Sequence, residues 1–299
     1  MITLPVGVEG RDPRTRGLDA WPDAAILDAL WESQGAAIAA VRAALPALGD
    51  SVAAAHARLR HDGRLFYIGA GTSGRIAAQD GAELAPTFNW PSERLVLLLA
   101  GGAEALTTGI EGAEDDEPAA EQAIGRHAVT AQDVVLGIAA SGRTPYTCAA
   151  IAAARAAGAL TIGFANVAQS RLLHAAELPL LLETGPEVIA GSTRLKAGTA
   201  QKAALNLFST LLMVRLGRVH DGHMVDMRSS NAKLRERAVR IVGDIAPCSP
   251  EAAAQALQAT HGDIKAAVLV TQGLSVQAAS SLLAAHDGHL RAALLASQP

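Results

Sequence analysis

Five short apolar runs alternate with alanine-rich stretches of helical length through the middle of this 299-residue chain. Apolar strands that alternate with helices are typical of a parallel sheet whose two faces are both covered. The pattern therefore predicts an α/β fold, a doubly wound parallel sheet of about five strands flanked by helices. The predicted strands are Leu65–Ile68, Leu95–Leu99, Val134–Ala139, Leu160–Phe164 and Leu178–Leu182.

The two ends of the chain have a different pattern. Residues 1–20 are polar and predict an extended arm, and helical spacing from Ala24 to Arg60, interrupted near Pro46, predicts two N-terminal helices. Near the C-terminus, Leu257–Ala267 recurs 26 residues later as Leu283–Ala293, each a helix, a glycine turn and a helix. The repeat resembles small ubiquitin-associated three-helix modules, with a linker near 247–250 before it.

We therefore expect three parts: an N-terminal arm with helices over 1–50, the sheet domain over 51–245, and a small helical module over 246–299.

Composition and charge narrow the classes of function that this chain could have. A formal net charge of −4 without a dense basic run gives no reason to expect nucleic-acid binding. The two cysteines form no metal or redox motif, and no run of about 18 apolar residues occurs, so we expect a cytoplasmic protein without a membrane partner.

The first predicted strand runs into a glycine loop, Gly69–Arg75, which contains the pattern G-x-G-x-x-G. A dinucleotide site needs an acidic residue about 20 residues further on, at the end of the second strand, but that strand ends in Leu99-Ala-Gly-Gly102. The adjacent hydroxyls of Thr72 and Ser73 instead suit a single phosphate, which takes several donors around one tetrahedral group. The loop therefore predicts a phosphate cradle rather than a dinucleotide site.

Two further loops combine hydroxyls with glycine. Ala140–Pro145 follows the third strand, and Gly191–Arg194 precedes a long helix that begins near Lys196. Ser141 and Thr144 could instead only cap the helix that begins at Pro145, but two such loops after two parallel strands favour a shared ligand. The predicted substrate-binding residues are Gly71, Thr72, Ser73, Ser141, Gly142, Arg143, Thr144, Ser192, Thr193, Arg194 and Lys196.

Metal sites are not predicted. His220-Asp-Gly-His223 and His286-Asp-Gly-His289 pair histidines, but Asp-Gly is typical of a turn and no third ligand recurs nearby.

Motifs along nearly the whole chain carry a specific resemblance to one family. They are Glu9–Asp19, Gly69–Arg75, Glu111–Asp115, Gly137–Tyr146, Gly191–Lys202, Met224–Asp226 and Asn231–Leu234. Together they closely resemble the N-acetylmuramic acid 6-phosphate etherases, whose sheet domain is a sugar isomerase (SIS) domain. The segment Gly81–Pro86 differs more from the pattern of that family, but it retains the glutamate at position 83.

The resemblance implies a lyase that cleaves the D-lactyl ether of N-acetylmuramic acid 6-phosphate and releases D-lactate. It implies a homodimer that needs no metal or organic cofactor. It also assigns the catalytic acid/base to Glu83, in Glu83-Leu-Ala-Pro86, and a second active-site glutamate to Glu114. The residues alone do not separate Glu114 from Glu111, because a spacing of three places both on one side of a helix.

Two alternatives use the same loops. A phosphosugar isomerase would also remove a proton from C2 of the sugar. A non-catalytic regulator would bind the phosphosugar without using Glu83 as a base, although no DNA-binding module precedes the sheet domain.

Overall fold

The computed structural model describes residues 7–229 and 231–297. The chain divides into two compact units. The sheet unit comprises Met1–Gly81 and Ser92–Ser209, and the helical unit comprises Ala82–Pro91 and Thr210–Pro299. This division differs from the predicted ranges of 1–50, 51–245 and 246–299. That these ranges fold as separate parts stays a prediction.

The sheet unit contains the predicted five-stranded parallel sheet. Its strand order is β2-β1-β3-β4-β5, and every neighbouring pair is parallel. The strands are β1 (Leu65–Gly69), β2 (Leu95–Leu99), β3 (Val134–Ile138), β4 (Leu160–Ala165) and β5 (Leu178–Leu181). The predicted fold class is thereby confirmed, with each boundary within one residue of its predicted position.

Both faces of the sheet are covered, as the continuous apolar runs require. All residues of the central strands β1, β3 and β4 are buried, whereas the edge strands β2 and β5 are only partly buried. Alternation along β1 sends Phe66 and Ile68 into one hydrophobic cluster, while the hydroxyl of Tyr67 donates to Asp80 on a helix. The helices of this unit are α1 (Asp23–Leu59), α2 (Gly71–Ala82), α4 (Glu117–Arg126), α5 (Pro145–Ala156), α6 (Arg171–Ala175) and α7 (Lys196–Arg215), which continues into the helical unit.

The prediction of two N-terminal helices is wrong, because α1 is one helix of 37 residues with Pro46 inside it. An interior proline removes one hydrogen bond and costs about 3 kcal/mol. Buried residues on both sides of the proline, Val41, Ala44, Leu48 and Val52, keep the helix continuous, since packing outweighs this cost. The predicted extended arm is also partly wrong: 3₁₀ turns occur at Pro13–Thr15 and Leu18–Ala20, and residues 1–6 lie outside the described part.

By length and composition, α1 could cross a membrane, because one 18-residue window has a mean hydropathy of 1.3. The core helix of a water-soluble domain passes the same test. In this structure α1 packs on β3, β4 and β5, and 39% of that window is buried.

The helical unit contains the predicted glycine-turn repeat. Gly262 (φ 87°) separates α9 (Pro250–Ala259) from α10 (Ile264–Thr271), and Gly288 (φ 73°) separates α11 (Val276–Ala285) from α12 (Leu290–Ala296). Such positive φ values favour glycine. The other elements of the unit are α3 (Leu84–Phe88), β6 (Val219–His220), β7 (His223–Met224) and α8 (Ala232–Ile245).

One hydrophobic core runs through the C-terminal part of the helical unit. It joins Val225 and Ile241 to residues of the repeat such as Leu257 and Ala293. The predicted boundary between residues 245 and 246 therefore falls inside a continuous core.

Glycines in α1 and β3 give a matched test of packing. A Cβ at Gly49 in α1 would meet no atom within 4 Å, whereas one at Gly137 in β3 would lie 2.5 Å from Cγ1 of the buried Ile151. We expect Gly49→Ala to raise the free energy of unfolding by about 1 kcal/mol, because alanine loses less backbone entropy than glycine in a helix. We expect Gly137→Ala to lower the free energy of unfolding, because its Cβ would overlap Ile151. Urea denaturation followed by circular dichroism measures both, and a destabilised Gly49→Ala would contradict this account of α1.

Candidate functional site

The candidate site lies at the carboxyl ends of β1 and β3. These strands are neighbours, with Gly69 opposite Ile138, but the chain goes from β1 to β2 on one side and from β3 to β4 on the other. Ligands of open parallel sheets bind where the connections diverge in this way. The loops that start at Ala70 and at Ala139 are brought together there, as the sequence predicts.

The first loop makes a very tight turn from β1 into α2. A Cβ at Gly69 would lie 2.8 Å from the backbone nitrogen of Gly74, so the turn requires glycine. Gly71 is exposed and has a φ of 52°. Thr72 is half-buried and Ser73 is buried, which leaves Thr72 the more accessible hydroxyl of the pair.

The Ser73 hydroxyl takes part in a buried polar chain. It donates to Oε1 of Gln201 on α7 at 2.9 Å, and Nε2 of Gln201 donates to Oδ1 of Asn166 at 3.0 Å. Nδ2 of Asn166 donates in turn to the carbonyl of Leu182 at 2.9 Å, beyond the end of β5. The single hydroxyl proton of Ser73 is therefore used to join α2 to α7. Its role as a phosphate ligand stays a prediction.

The second loop is also shaped by a glycine. Gly142 has a φ of 63°, and a Cβ on it would lie 2.2 Å from Oγ of Ser170. Ser141 is half-buried, and its Oγ accepts the amide of Arg143 at 3.2 Å. Thr144 precedes α5 but makes no side-chain bond to it. The helix-capping alternative therefore does not apply to the Thr144 hydroxyl, and Arg143 is exposed at the loop surface.

The third loop is brought to the first by the start of α7. A Cβ on Gly198 would lie 3.6 Å from Cγ2 of Thr72, so the first turn of α7 packs against the first loop. Ser192 and Thr193 are half-buried and Arg194 is exposed. The three predicted loops thus meet in the sheet unit.

A buried carboxylate caps α7, which the sequence analysis missed. The Oε1 atom of Glu187 accepts the amide of Ala197 at 2.9 Å, and Oε2 accepts the amide of Lys196 at 3.1 Å. Burial raises the pKa of Glu187, while the two amide bonds oppose that shift. The sequence does place an acidic residue within ten positions before the predicted start of α7, and this was the available signal. An ordinary N-cap residue lies directly before its helix, whereas Glu187 binds amides nine and ten residues further along the chain.

Lys196 lies in the interior rather than on the open surface of the loop. Its side chain is buried, and burial lowers the pKa of Lys196 against the opposing attraction of Glu187 and Asp12. Asp12 is itself buried and forms an ion pair of 2.7 Å with Arg14, whose hydrogen bond lowers the pKa of Asp12. The Lys196 charge therefore faces two carboxylates of this chain.

The N-terminal segment covers this part of the sheet unit. Val8 is buried with Ala140 of the second loop and Ala197 in the first turn of α7. The Thr15 hydroxyl donates to the carbonyl of Val188 at 3.1 Å. Segment 8–15, which the sequence presents as a polar arm, is therefore part of the structure that shapes the loops.

A second polar cluster holds the last turns of α2. Asp80 is buried, and its carboxylate accepts the Tyr67 hydroxyl at 2.9 Å, the Ser209 hydroxyl at 3.1 Å and the Asn206 amide. Burial raises the pKa of Asp80, and these donors oppose the shift. Asn206 and Ser209 belong to α7. The Ser73–Gln201 bond therefore joins the first turn of α2 to α7, and the Asp80 cluster joins the last turns of α2 to α7.

The two predicted catalytic glutamates are exposed in separate units. Glu83 follows the last residue of α2 and belongs to the helical unit. Glu114 lies in a 3₁₀ turn, Ala113–Asp115, of the sheet unit. The expected helix carrying both Glu111 and Glu114 is absent from the described residues, because Gly112 adopts a φ of 71° between them.

The structure separates Glu114 from its acidic neighbours. Asp116 accepts the amide of Ala119 and caps α4, and Glu117 forms an ion pair of 2.6 Å with Arg171. These two acids therefore have structural partners. The exposed Glu114 lies next to them on the loop that follows β2.

The histidine pairs form turns, as the Asp-Gly steps indicate. Asp221 and Gly222 both have positive φ and connect β6 to β7, and Asp287 and Gly288 do the same between α11 and α12. Among the residues that the structure describes, no group of three or more histidine, cysteine or acidic side chains is arranged to hold a metal ion.

Two family models match the sheet unit. The model of the glucokinase regulatory protein N-terminal SIS domain matches residues 48–155, and the SIS domain model matches residues 116–211. Together they span the three loops and all five strands.

Several curated relatives match nearly the whole chain, and each carries the name N-acetylmuramic acid 6-phosphate etherase. The relative from Deinococcus radiodurans is 47% identical over 98% of this chain and 96% of its own. That from Streptomyces avermitilis is 47% identical over 87% and 84%, and that from Cronobacter sakazakii is 44% identical over 96% and 97%. Identity of this extent over nearly the full length shows that the chain belongs to the N-acetylmuramic acid 6-phosphate etherase family.

Proposed function

We propose that this chain is a carbon–oxygen lyase that cleaves the D-lactyl ether of N-acetylmuramic acid 6-phosphate in the cytoplasm. The products are N-acetylglucosamine 6-phosphate and D-lactate. The observation that carries the proposal is the meeting of two hydroxyl-glycine loops at the point where the connections of the sheet diverge, in a chain of this family. A single phosphate fits such a place better than a dinucleotide, because no carboxylate stands at the tip of β2.

The 6-phosphate is anchored by the three loops. Gly71 leaves the start of α2 open, so backbone amides there are accessible to an anion. Thr72, Ser141 and Thr144 supply hydroxyls that are not fully buried. The other proposed ligands are Ser73, Gly142, Arg143, Ser192, Thr193, Arg194 and Lys196. Of these, Ser73 already has a partner within the chain and Lys196 is buried.

The chemistry requires groups that move protons. An ether at C3 of a sugar is a poor leaving group, but opening the ring exposes an aldehyde at C1 that acidifies the proton on C2. A base removes that proton, lactate leaves from C3, and water adds to the unsaturated aldehyde. In this proposal Glu83 is the acid/base, and Glu114 is the second glutamate near the leaving oxygen. Neither a metal nor an organic cofactor takes part.

We also propose that the chain works as a homodimer. The exposed apolar side chains Leu27, Trp31 and Ile38 lie along one side of α1, and Trp31 is 77% exposed. A stripe of large apolar groups on one helix face is characteristic of an interaction surface, and a second copy of the same chain is the occupant that the family implies.

The two rival functions differ in their products. A phosphosugar isomerase shares the removal of the C2 proton but would form a ketose phosphate. A regulator would bind the phosphosugar without turnover. Incubation with N-acetylmuramic acid 6-phosphate, followed by an enzymatic assay of D-lactate in the presence and absence of EDTA, separates the three. We expect D-lactate release that EDTA does not reduce.

Substitution of the glutamates tests the catalytic assignment. We expect Glu83→Gln and Glu114→Gln each to lower kcat for D-lactate release by about 10²- to 10⁴-fold, because each removes one proton-transfer group. Glu93→Gln and Glu111→Gln are the matched controls, since both are exposed glutamates within ten residues of a tested position in the sequence. Near-normal release by Glu83→Gln would show that Glu83 is not the acid/base.

Substitution of a loop hydroxyl tests the phosphate anchorage. We expect Thr72→Val to raise KM about tenfold, because the accessible hydroxyl that would bind the phosphate is lost. We expect little change in stability, because valine retains the shape of the threonine side chain. Ser73→Ala also removes the buried bond to Gln201, so it is expected to lower the free energy of unfolding by about 1 kcal/mol. Thr107→Val, at an exposed position, is the control. An unchanged KM in Thr72→Val would contradict the anchorage.

A charge within the apolar stripe tests the homodimer. We expect Trp31→Glu to convert the dimer to a monomer in size-exclusion chromatography with light scattering, because a carboxylate is costly to bury in an apolar interface. Ala43→Glu is the control, since Ala43 is exposed on the opposite side of α1. A wild-type protein that is monomeric at micromolar concentration would refute the dimer.

A further inference from the structure

The helical unit contains a cavity that the proposed lyase reaction does not use. Its volume is about 830 Å³, within the range of sites that bind drug-sized molecules. It lies between α8, α9, the turn that precedes α10, and the segment 225–229. That segment continues the motif Met224–Asp226, which has no part in the phosphate loops.

The inner wall of the cavity is apolar. Val225, Met227, Ala238, Leu257 and Ile264 line it, and all five are buried in the core of this unit. Burying a ligand's apolar surface on such a wall gains about 25 cal/mol per Å². A hydroxyl-rich ligand such as a sugar would leave its polar groups without partners there.

The acidic residues of the cavity already have partners. Asp226 forms ion pairs with Lys265 at 2.7 Å and with Arg218 at 3.4 Å. Asp263 caps α10 by accepting the amide of Ala266 at 2.9 Å. The charge of Asp226 is therefore balanced by two cations within the protein, and the exposed Asp263 is engaged at the start of α10.

The basic residues of the cavity remain available. Arg228 and Arg235 line it and are exposed. Arg228 donates to the neutral side chain of Asn89, and within the described ranges Arg235 forms no ion pair. Ser229 also lines the cavity, and its buried Oγ has no hydrogen-bond partner in the part of the chain that the structure describes. A buried hydroxyl without a partner costs about 1–3 kcal/mol, so an acceptor on a ligand would relieve this cost.

We propose that this cavity binds a small amphipathic carboxylate, with its apolar body against the inner wall and its carboxylate at Arg228, Arg235 and Ser229. Arginine suits this role because its planar guanidinium pairs with a carboxylate through two parallel hydrogen bonds. None of the residues proposed to hold the sugar phosphate lines this cavity, and neither does Glu83 or Glu114.

Octanoate is the probe that tests the proposal, titrated into the full-length protein by isothermal calorimetry. Octan-1-ol and octylamine are its neutral and cationic counterparts. We expect octanoate to bind at least tenfold more tightly than either, because only octanoate carries an anionic head. Equal binding of the three would overturn the carboxylate site, and so would the absence of octanoate binding.

Variants locate the binding. We expect Arg235→Ala to weaken octanoate binding about tenfold, equivalent to about 1.4 kcal/mol, and Ala254→Leu to weaken it by filling the cavity, since the exposed Ala254 lines it. Arg240→Ala, an exposed position on α8 that does not line the cavity, is the matched control. Equal losses in Arg235→Ala and Arg240→Ala would refute the site. Octanoate binding is measured without the sugar substrate, so its failure leaves the lyase proposal unaffected.

Discussion

The parallel pairing of β1 with β3 is the interaction on which the rest of the sheet unit depends. Both strands are wholly buried, and their pairing at Gly69 and Ile138 fixes where each chain segment leaves the sheet. Because the connection from β1 goes to one side and that from β3 to the other, the two following loops meet with no strand between them. The place of the proposed phosphate site follows from this order of strands.

Helix α7 is held in place by polar groups inside the protein. The Glu187 carboxylate binds the first amides of α7, and Ser73 and Asp80 of α2 are bonded to Gln201, Asn206 and Ser209 further along it. Buried polar groups specify one geometry, because each one left without its partner is costly. This network holds the start of α7 against Thr72, and it thereby holds the third loop, which precedes α7, close to the first loop.

Much of the site was predictable because glycine and hydroxyl residues at strand ends have a local cause. Gly69, Gly71 and Gly142 are required by close approach or by backbone conformation, and both leave a sequence signal. The cap by Glu187 acts on amides nine and ten residues away, which is beyond the reach of the ordinary N-cap pattern. The burial of Lys196 is decided by tertiary packing, which leaves no local pattern. The roles of Glu83 and Glu114 came from the family resemblance, since spacing alone did not separate Glu114 from Glu111.

The sequence by itself determined the strands, the fold class, the three loops and the family, because apolar periodicity, turn residues and motifs are local properties of the chain. Tertiary structure alone decided that α1 continues through Pro46, since packing on both sides of the proline outweighs a lost hydrogen bond. It also decided which hydroxyls and charges of the site are already engaged. The Ser73 proton is bonded to Gln201, more than a hundred residues away in sequence, and only folding brings such groups within the short distances at which hydrogen bonds act. The burial of the Lys196 side chain is likewise decided by folding.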